Sequence, residues 1–153
     1  MAKDSLVTEE MRNKIGIQGE PLLCEIEEGM IRRFVLAIDD PNPLWQDEEY
    51  AKKSRYGGTI APPTFIPIVG YRQFLQQAEA LAGTLLHGST ELECYQPVRA
   101  GDTITVTTKV ANVRERQSKK MGKMAFVTFD MTYENQRQEQ VAKCRQVIIG
   151  YQA

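Results

Sequence analysis

Histidine, tryptophan and cysteine are scarce in this sequence, which has one histidine, one tryptophan and three cysteines among 153 residues. The cysteines Cys24, Cys94 and Cys144 are isolated and odd in number, so neither a disulfide framework nor a zinc site is indicated. We expect each of them to be a small buried apolar residue. The sequence also has no cluster of histidine and cysteine ligands and no phosphate-cradling glycine loop, so it implies no metal and no cofactor.

An excess of charge of either sign is missing as well. The 19 lysines and arginines stand against 20 aspartates and glutamates, which gives a net charge of −1. A near-neutral chain has no global field that attracts a polyanion, so nucleic acid is not expected as a partner. The densest basic run, Arg114 to Lys120, is interrupted by Glu115 and falls where a hairpin turn is expected. A solvated turn is one interpretation of it, and a landing site for the phosphates of a nucleotide-bearing carrier is the other.

Long apolar runs are absent too. Residues Met1 to Gly16 lack the apolar core of a signal peptide, and no run in the sequence approaches the ~18 apolar residues of a membrane span. We therefore expect no membrane partner and a cytoplasmic location. The length suits one ordinary domain and no linker or repeat divides the chain, so residues 1–153 are expected to form a single domain.

Three segments have the apolar spacing of helices. Short helices are expected over Thr8 to Ile17 and Glu27 to Asp39. The longest signal runs from Thr64 to about Ala82, with Thr64 as the N-cap and Pro67 in the first turn, where its missing N–H needs no partner. The first half of this segment is apolar nearly all round, which indicates burial on several sides.

The rest of the chain alternates in the manner of β-strands and turns. An antiparallel meander has one face to bury, and a curled sheet can bury it around the apolar helix, which predicts the α+β class. A helix lying on an open sheet would have similar periodicity and stays open as an alternative. The expected strands are Leu86 to Gln96, Thr103 to Val113, Lys123 to Glu134, and Glu139 to Tyr151.

Two loops and two later stretches carry a family resemblance. The loops are Asp39-Asp40-Pro41-Asn42-Pro43-Leu44-Trp45 and Tyr56-Gly57-Gly58-Thr59-Ile60-Ala61-Pro62, and the stretches are Leu86-His87-Gly88 and Gln96-Pro97-Val98-Arg99-Ala100-Gly101-Asp102-Thr103. In this order they resemble the MaoC-like (R-specific) enoyl hydratase and dehydratase family, especially its N-terminal-type, FAS1-like dehydratase domains. The resemblance implies a single hot-dog fold, in which an antiparallel sheet wraps around a long central helix.

The resemblance also implies a reaction, the reversible hydration of a trans-2-enoyl thioester of coenzyme A or acyl carrier protein to a 3-hydroxyacyl thioester. In the family an Asp and a His five positions later hold and activate water. Here Asp40 matches the Asp, but Trp45 stands at the position of the His. Because indole only donates a hydrogen bond, it cannot exchange a proton near neutral pH, and the complete catalytic pair is absent.

The resemblance gives a set of candidate site residues. Asp40 is the candidate catalytic residue, although an aspartate in such a turn often caps its own backbone. Backbone N–H groups near the start of the central helix, within Gly57 to Thr64, would stabilise the enolate oxygen. Trp45 is either a wall of the pocket or an ordinary packing residue. The candidate substrate-binding residues are Asn42, Trp45, Tyr56, Gly57, Gly58, Ala61, Pro62 and Thr64.

Three functions remain open on the sequence alone. The first is a subunit of a hydratase or dehydratase that binds substrate beside a hot-dog partner carrying the complete pair. The second is a homodimer that binds an acyl thioester without catalysis. The third is a thioesterase, which needs a carboxylate over the helix N-terminus. His87 is a further proton-exchanging group, although an isolated histidine is more often a packing residue. The carboxylates available to a thioesterase are Asp39, Asp40, Asp47, Glu48 and Glu49.

Overall fold

The computed structural model describes residues 5–78 and 83–151, and the sheet dominates it. The helical segments fall mainly in the first half of the chain and the long strands in the second. In chain order the elements are α1 (Glu9–Asn13), β1 (Leu22–Glu25), α2 (Glu28–Ile38), α3 (Pro43–Gln46), α4 (Glu48–Lys53), a 3-10 helix (Pro63–Ile68), α5 (Tyr71–Ala78), β2 (Thr84–Cys94), β3 (Thr103–Ser118), β4 (Gly122–Glu134) and β5 (Gln140–Tyr151).

The strands form one antiparallel sheet in the order β1-β3-β4-β5-β2. Strands β3, β4 and β5 are the expected meander, while β2 pairs with the far side of β5 and has no strand on its outer edge among the described residues. Strand β1 was not predicted from the sequence, because four residues are too few to establish an alternation. The N-terminal segment extends that side of the sheet through isolated bridges from Ile15 and Gln18 to β3.

The inner face of the sheet packs against the central helical segment. Phe129 on β4 meets Phe74 on α5 edge to face, with ring centroids 4.9 Å apart. Phe65 in the 3-10 helix makes a similar contact with Phe34 on α2, at 5.6 Å. The expected α+β arrangement of a sheet around a helix is therefore confirmed. The buried side chains that the alternation predicted on β3 and β4 are Ile104, Val106, Thr108, Val110, Ala125, Val127, Phe129, Met131 and Tyr133.

The central helical segment differs in detail from the expected single helix. A 3-10 helix begins at Pro63 with Pro62 as its N-cap, so Thr64 is not the cap and lies exposed. The chain then turns at Gly70, whose φ is +76°, before α5 begins. A Cβ at Gly70 would lie 3.2 Å from Val106, so a side chain there would press into the sheet. The expected end near Ala82 lies outside the described residues.

Other boundaries show what the sequence periodicity missed. Helix α1 is only five residues long, and its N-cap Thr8 accepts a hydrogen bond from the Met11 N–H at 3.1 Å. Helix α2 matches its prediction closely and ends at Asp39, which has a left-handed φ of 50°. The short helices α3 and α4 were not predicted, because each is too short to show a helical period.

The cysteines differ in burial, and the prediction that all three are buried is confirmed for one of them only. Cys144 is buried, Cys24 is half-buried and Cys94 is exposed. Cys94 ends β2, and an edge strand has no neighbour to cover that position. Among residues 5–78 and 83–151, no helix has both the length and the apolar character needed to cross a bilayer.

Candidate functional site

Asp40 is bound on both carboxylate oxygens by its own loop. Its Oδ1 accepts a hydrogen bond from the backbone N–H of Asn42 at 3.0 Å, and its Oδ2 accepts one from the indole Nε1 of Trp45 at 2.9 Å. Both Asp40 and Trp45 are half-buried. The indole therefore occupies the carboxylate oxygen that a histidine five positions after the aspartate would be placed to share.

Local turn chemistry fixes this loop. Helix α2 stops at Asp39, and the chain turns through Pro41 to Asn42, whose Oδ1 accepts from the Leu44 N–H at 3.0 Å and so caps α3. The Gln46 side chain reaches back to the Asp40 carbonyl at 2.8 Å. The loop is thus closed by contacts between its own residues. Because the indole N–H does not titrate, the Asp40–Trp45 pair cannot relay a proton to substrate.

A second loop, residues 54–62, lies against the first. The Ile60 N–H donates to the Leu44 carbonyl at 3.2 Å, and the Ala61 N–H donates to the Val98 carbonyl at 2.7 Å. Gly57 has a φ of +65°, a conformation that strains any residue with a Cβ. These contacts hold the second loop between the first loop and the turn that precedes β3.

Arg99 holds the second loop in place by hydrogen bonds to its backbone, a role that was not predicted from the sequence. Its guanidinium donates to the carbonyl oxygens of Tyr56 and Thr59, the latter at 3.4 Å. Its own backbone N–H donates to Asp102 Oδ2 at 2.8 Å, which fixes the turn that carries it. Arg99 lies in the stretch Gln96 to Thr103, which carries part of the family resemblance, but only the fold shows which carbonyls the arginine reaches.

The contact with Arg99 leaves the carbonyl oxygens and the N–H groups of the second loop in different situations. The carbonyls of Tyr56 and Thr59 face the guanidinium, whereas the N–H groups of Gly58 and Thr59 have no acceptor among the residues that the structure describes. Loop N–H groups of this kind can donate to an oxygen of a bound molecule. The 3-10 helix adds less than expected, because Pro62 and Pro63 have no N–H to offer.

The other predicted binding residues are distributed around these loops. The Tyr56 hydroxyl accepts from Arg55 at 2.6 Å, and the Arg55 guanidinium also lies 4.8 Å from the centre of the Tyr56 ring. Ala61 and Pro62 are buried, whereas Thr64 is exposed. The predicted binding residues therefore lie on the two loops, which the hydrogen bond from Ile60 to Leu44 brings together, but they differ in exposure.

The remaining candidate groups have contacts elsewhere. His87 is exposed on β2, where its Nε2 lies 3.0 Å from Thr90 Oγ1. Asp47 caps α4 by accepting from the Tyr50 N–H at 2.9 Å. Glu48 and Glu49 pair with Lys52 within the same helix. These contacts favour a structural role in α4 for those three carboxylates.

Two depressions of the chain lie away from both loops. Their volumes are about 450 Å³ and about 180 Å³, and neither is lined by residues of the two loops. Within the described ranges, no group of three or more histidine, cysteine, aspartate or glutamate side chains is arranged to hold a metal ion.

Comparison with known proteins identifies the family. Residues 13–144 match the family described as "FAS1-like, dehydratase domain region". A UPF0336 protein of Streptomyces avermitilis is 35% identical over 95 residues, which are 59% of this chain and 63% of the relative, so the match spans less than two thirds of that protein.

Solved structures agree with that match. The MaoC-like dehydratase of Rhodospirillum rubrum is 27% identical, with a TM-score of 0.69 over 91% of this chain and 93% of that one. A chain of the truncated HadBC (3R-hydroxyacyl-ACP dehydratase) complex of Mycobacterium tuberculosis has the same fold, with a TM-score of 0.73 at 21% identity, over 90% of this chain and 99% of that one. The chain therefore belongs to the FAS1-like dehydratase-region family of MaoC-like hot-dog proteins.

Proposed function

We propose that this chain is the substrate-binding subunit of an acyl-thioester hydratase or dehydratase, acting as one domain beside a hot-dog partner that supplies the complete Asp and His pair. The observation that carries the proposal is the 2.9 Å hydrogen bond from the Trp45 indole to Asp40 Oδ2. This bond occupies the carboxylate and leaves it beside a group that cannot exchange protons. A chain with such a loop would hold substrate rather than activate water.

The second loop supplies the binding chemistry in this proposal. The free N–H groups of Gly58 and Thr59 donate to the thioester carbonyl oxygen, which becomes the enolate oxygen as water adds. Arg99 keeps the neighbouring carbonyls turned away from that oxygen. Trp45 forms an apolar wall for the acyl chain, and Tyr56, Ala61 and Pro62 line the approach.

The free edge of β2 is where the partner would join. This strand runs for 11 residues from Thr84 to Cys94, and within residues 5–78 and 83–151 it pairs with β5 alone. A long unpaired edge is a template for another strand. The fold shared with a chain of the HadBC complex supports pairing with a second hot-dog chain of different sequence. The ligand would be a thioester of coenzyme A or acyl carrier protein.

The test is the spectrophotometric hydration of crotonyl-CoA, together with calorimetric binding of butyryl-CoA, which cannot be hydrated. We expect the purified chain to bind butyryl-CoA and to hydrate no crotonyl-CoA alone. Mixing it with a hot-dog chain that carries Asp-x-Asn-Pro-x-His should give hydration well above that of the partner by itself.

Two other outcomes separate the alternatives. Hydration by the chain alone that disappears in Asp40→Asn would overturn the proposal, because the chain would then be catalytic without the histidine. Binding of butyryl-CoA without activation of any hot-dog partner would favour the binding homodimer instead.

A further inference from the structure

The outer face of the sheet, which points away from the central helix, carries an ordered row of charges. The strand register places Lys109, Asp130, Arg145 and Glu91 side by side on β3, β4, β5 and β2. The signs alternate along the row, and Arg145 and Asp130 form an ion pair at 2.7 Å. This row, which we call the charged row, ends positive on β3 and negative on β2.

The same face becomes apolar toward the turn between β3 and β4. On β3 these two rows begin with the exposed Arg114 and Arg116. Beyond them the register aligns Phe126 with Ile149 and Leu86, and it aligns Met124 with Tyr151. Four of these side chains are half-buried and Leu86 is 42% exposed, so all of them reach the surface. The solvent-facing side of an antiparallel sheet is normally polar. An apolar area here, which we call the apolar rows, is therefore unusual.

Beside the charged row lies the larger depression of the chain, with a volume of about 450 Å³. Thr107 and Thr132 are neighbours across β3 and β4 and are among its short side chains. Lys143 and Glu93 are neighbours across β5 and β2 and are among its long ones. In this row, next to the charged row, the side chains on β3 and β4 are short, whereas those on β5 and β2 are long and charged.

We propose that this outer face is the docking surface for a second copy of the chain, related by a two-fold axis that runs parallel to the strands between β4 and β5. Such an axis places β3 opposite β2 of the second copy and β4 opposite β5. Lys109 then meets Glu91 of the second copy, and Asp130 meets its Arg145. Every charge of the charged row faces the opposite sign.

The other rows fit the same axis. On the two middle strands Phe126 faces Ile149 of the second copy and Met124 faces its Tyr151, so apolar side chains meet apolar ones. At the margin of the contact Arg114 faces Leu86 of the second copy, where its guanidinium can stay in water. In the depression, Thr107 faces Glu93 and Thr132 faces Lys143, so the long side chains of one copy enter the space above the short ones of the other. A two-fold axis across the strands would instead place the charged row on itself, so that like charges meet, or on the apolar rows, where the charges lose their water.

This contact is separate from pairing through the β2 edge and does not depend on the proposed function. Edge pairing uses the free backbone groups of β2, whereas the outer face uses side chains of four strands. The two contacts can coexist, and the assembly would then have twice the mass that edge pairing alone gives.

Sedimentation equilibrium of the full chain over a wide concentration range tests the proposal. We expect Phe126→Glu to halve the mass of the largest species, because a carboxylate would be buried against Ile149 of the other copy. Lys109→Glu alone and Glu91→Lys alone should each raise the dissociation constant about tenfold or more. Arg137→Glu, on the exposed turn between β4 and β5, is the matched control and should leave the mass unchanged.

The double variant K109E/E91K decides whether these two residues face each other. Within one chain the swap leaves each reversed charge beside a like charge, Asp130 or Arg145, so only the contact between copies is restored. Recovery of the mass is expected, with thermal melts confirming that every variant is folded. An unchanged mass in Phe126→Glu, no recovery in the double variant, or a wild-type chain that never exceeds the edge-paired species would overturn the proposal.

Discussion

The two loops of the candidate site treat their polar groups in opposite ways. In the first loop, side chains and backbone of the same loop occupy both oxygens of Asp40. In the second loop, Arg99 occupies carbonyl oxygens and leaves the N–H groups of Gly58 and Thr59 without an acceptor among the described residues. One loop has an acidic group that is already bound, and the other has donors that are available.

That difference separates two tasks that a hydratase site combines. Proton transfer needs a titratable group in contact with water, whereas oxyanion stabilisation needs only fixed donors. A chain that loses the first and keeps the second can still hold the thioester in a productive position. The contrast between the loops therefore supports the proposal of a binding subunit. It can be tested by substitutions in either loop.

Trp45→His should give the largest effect, because it restores a titratable ring within reach of Asp40. We expect crotonyl-CoA hydration by the chain to rise from the background by roughly 10²-fold or more, the usual contribution of a placed general base. Steady-state hydration kinetics measure the gain.

Two variants control this experiment. Trp45→Phe keeps an aromatic side chain but has no titratable group, and it should gain nothing. Adding Asp40→Asn to Trp45→His should abolish the gained activity. If Trp45→His binds butyryl-CoA and stays inactive, the indole is not what keeps the first loop from catalysis.

Arg99→Ala should damage the second loop. The guanidinium donates two hydrogen bonds to backbone carbonyls, so its loss should lower the free energy of unfolding by about 1–3 kcal/mol, measured by urea denaturation. Butyryl-CoA binding should weaken, and amide exchange at residues 56–60 should accelerate.

Arg137→Ala is the matched control for that prediction. Arg137 pairs with Glu139 on an exposed turn, where solvent screens the pair, so its removal should leave the free energy of unfolding essentially unchanged. Equal losses in both arginine variants would mean that the loop does not depend on its anchor.

Gly57→Ala and Gly58→Ala should differ from each other. Gly57 has a φ of +65°, so a Cβ there costs about 1 kcal/mol in backbone strain. At Gly58 a Cβ would lie 3.4 Å from the Arg99 guanidinium, which is ordinary contact, and the cost should be smaller. Thermal unfolding of the two variants checks the order, and a more damaging Gly58→Ala would show that the loop packs differently.

Gln46→Ala should have the smallest effect. Its side chain donates one exposed hydrogen bond to the Asp40 carbonyl, so its loss should cost about 0.5 kcal/mol of stability. Trp45 and Asn42 would still hold the carboxylate, and butyryl-CoA binding should be unchanged. A large loss of stability in urea denaturation would mean that the Gln46 contact with the Asp40 carbonyl holds the first loop more than the indole contact does.

Much of the fold could be predicted from the sequence because its signals are periodic. The alternation along β3 and β4 identified the buried face, since each strand is long enough to repeat the pattern many times. The break at Gly70 could not be predicted, because it depends on the close approach of Val106 from a strand far along the chain. Helices α3 and α4 were missed because four and six residues do not display a period.

In the candidate site, too, local features could be predicted from the sequence and long-range contacts could not. The sequence placed Asp40 and Trp45 five positions apart in one local motif, and the structure brings the Trp45 indole to 2.9 Å from Asp40 Oδ2. The contact of Arg99 with the carbonyls of Tyr56 and Thr59 joins segments 40 and 43 residues apart, and no local pattern carries that information. The exposure of Cys94 likewise depends on which strand lies at the edge of the sheet.

The unequal edges of the sheet set a limit on growth. The β1 side ends in a strand of four residues, whereas the β2 side offers 11. A sheet with a long unpaired strand at each edge can pair with another chain on both sides and extend into a fibre. With only one such edge, strand pairing is exhausted once two chains have met. If chains pair through β2, the four residues of β1 therefore offer too little backbone for the assembly to extend on the opposite side.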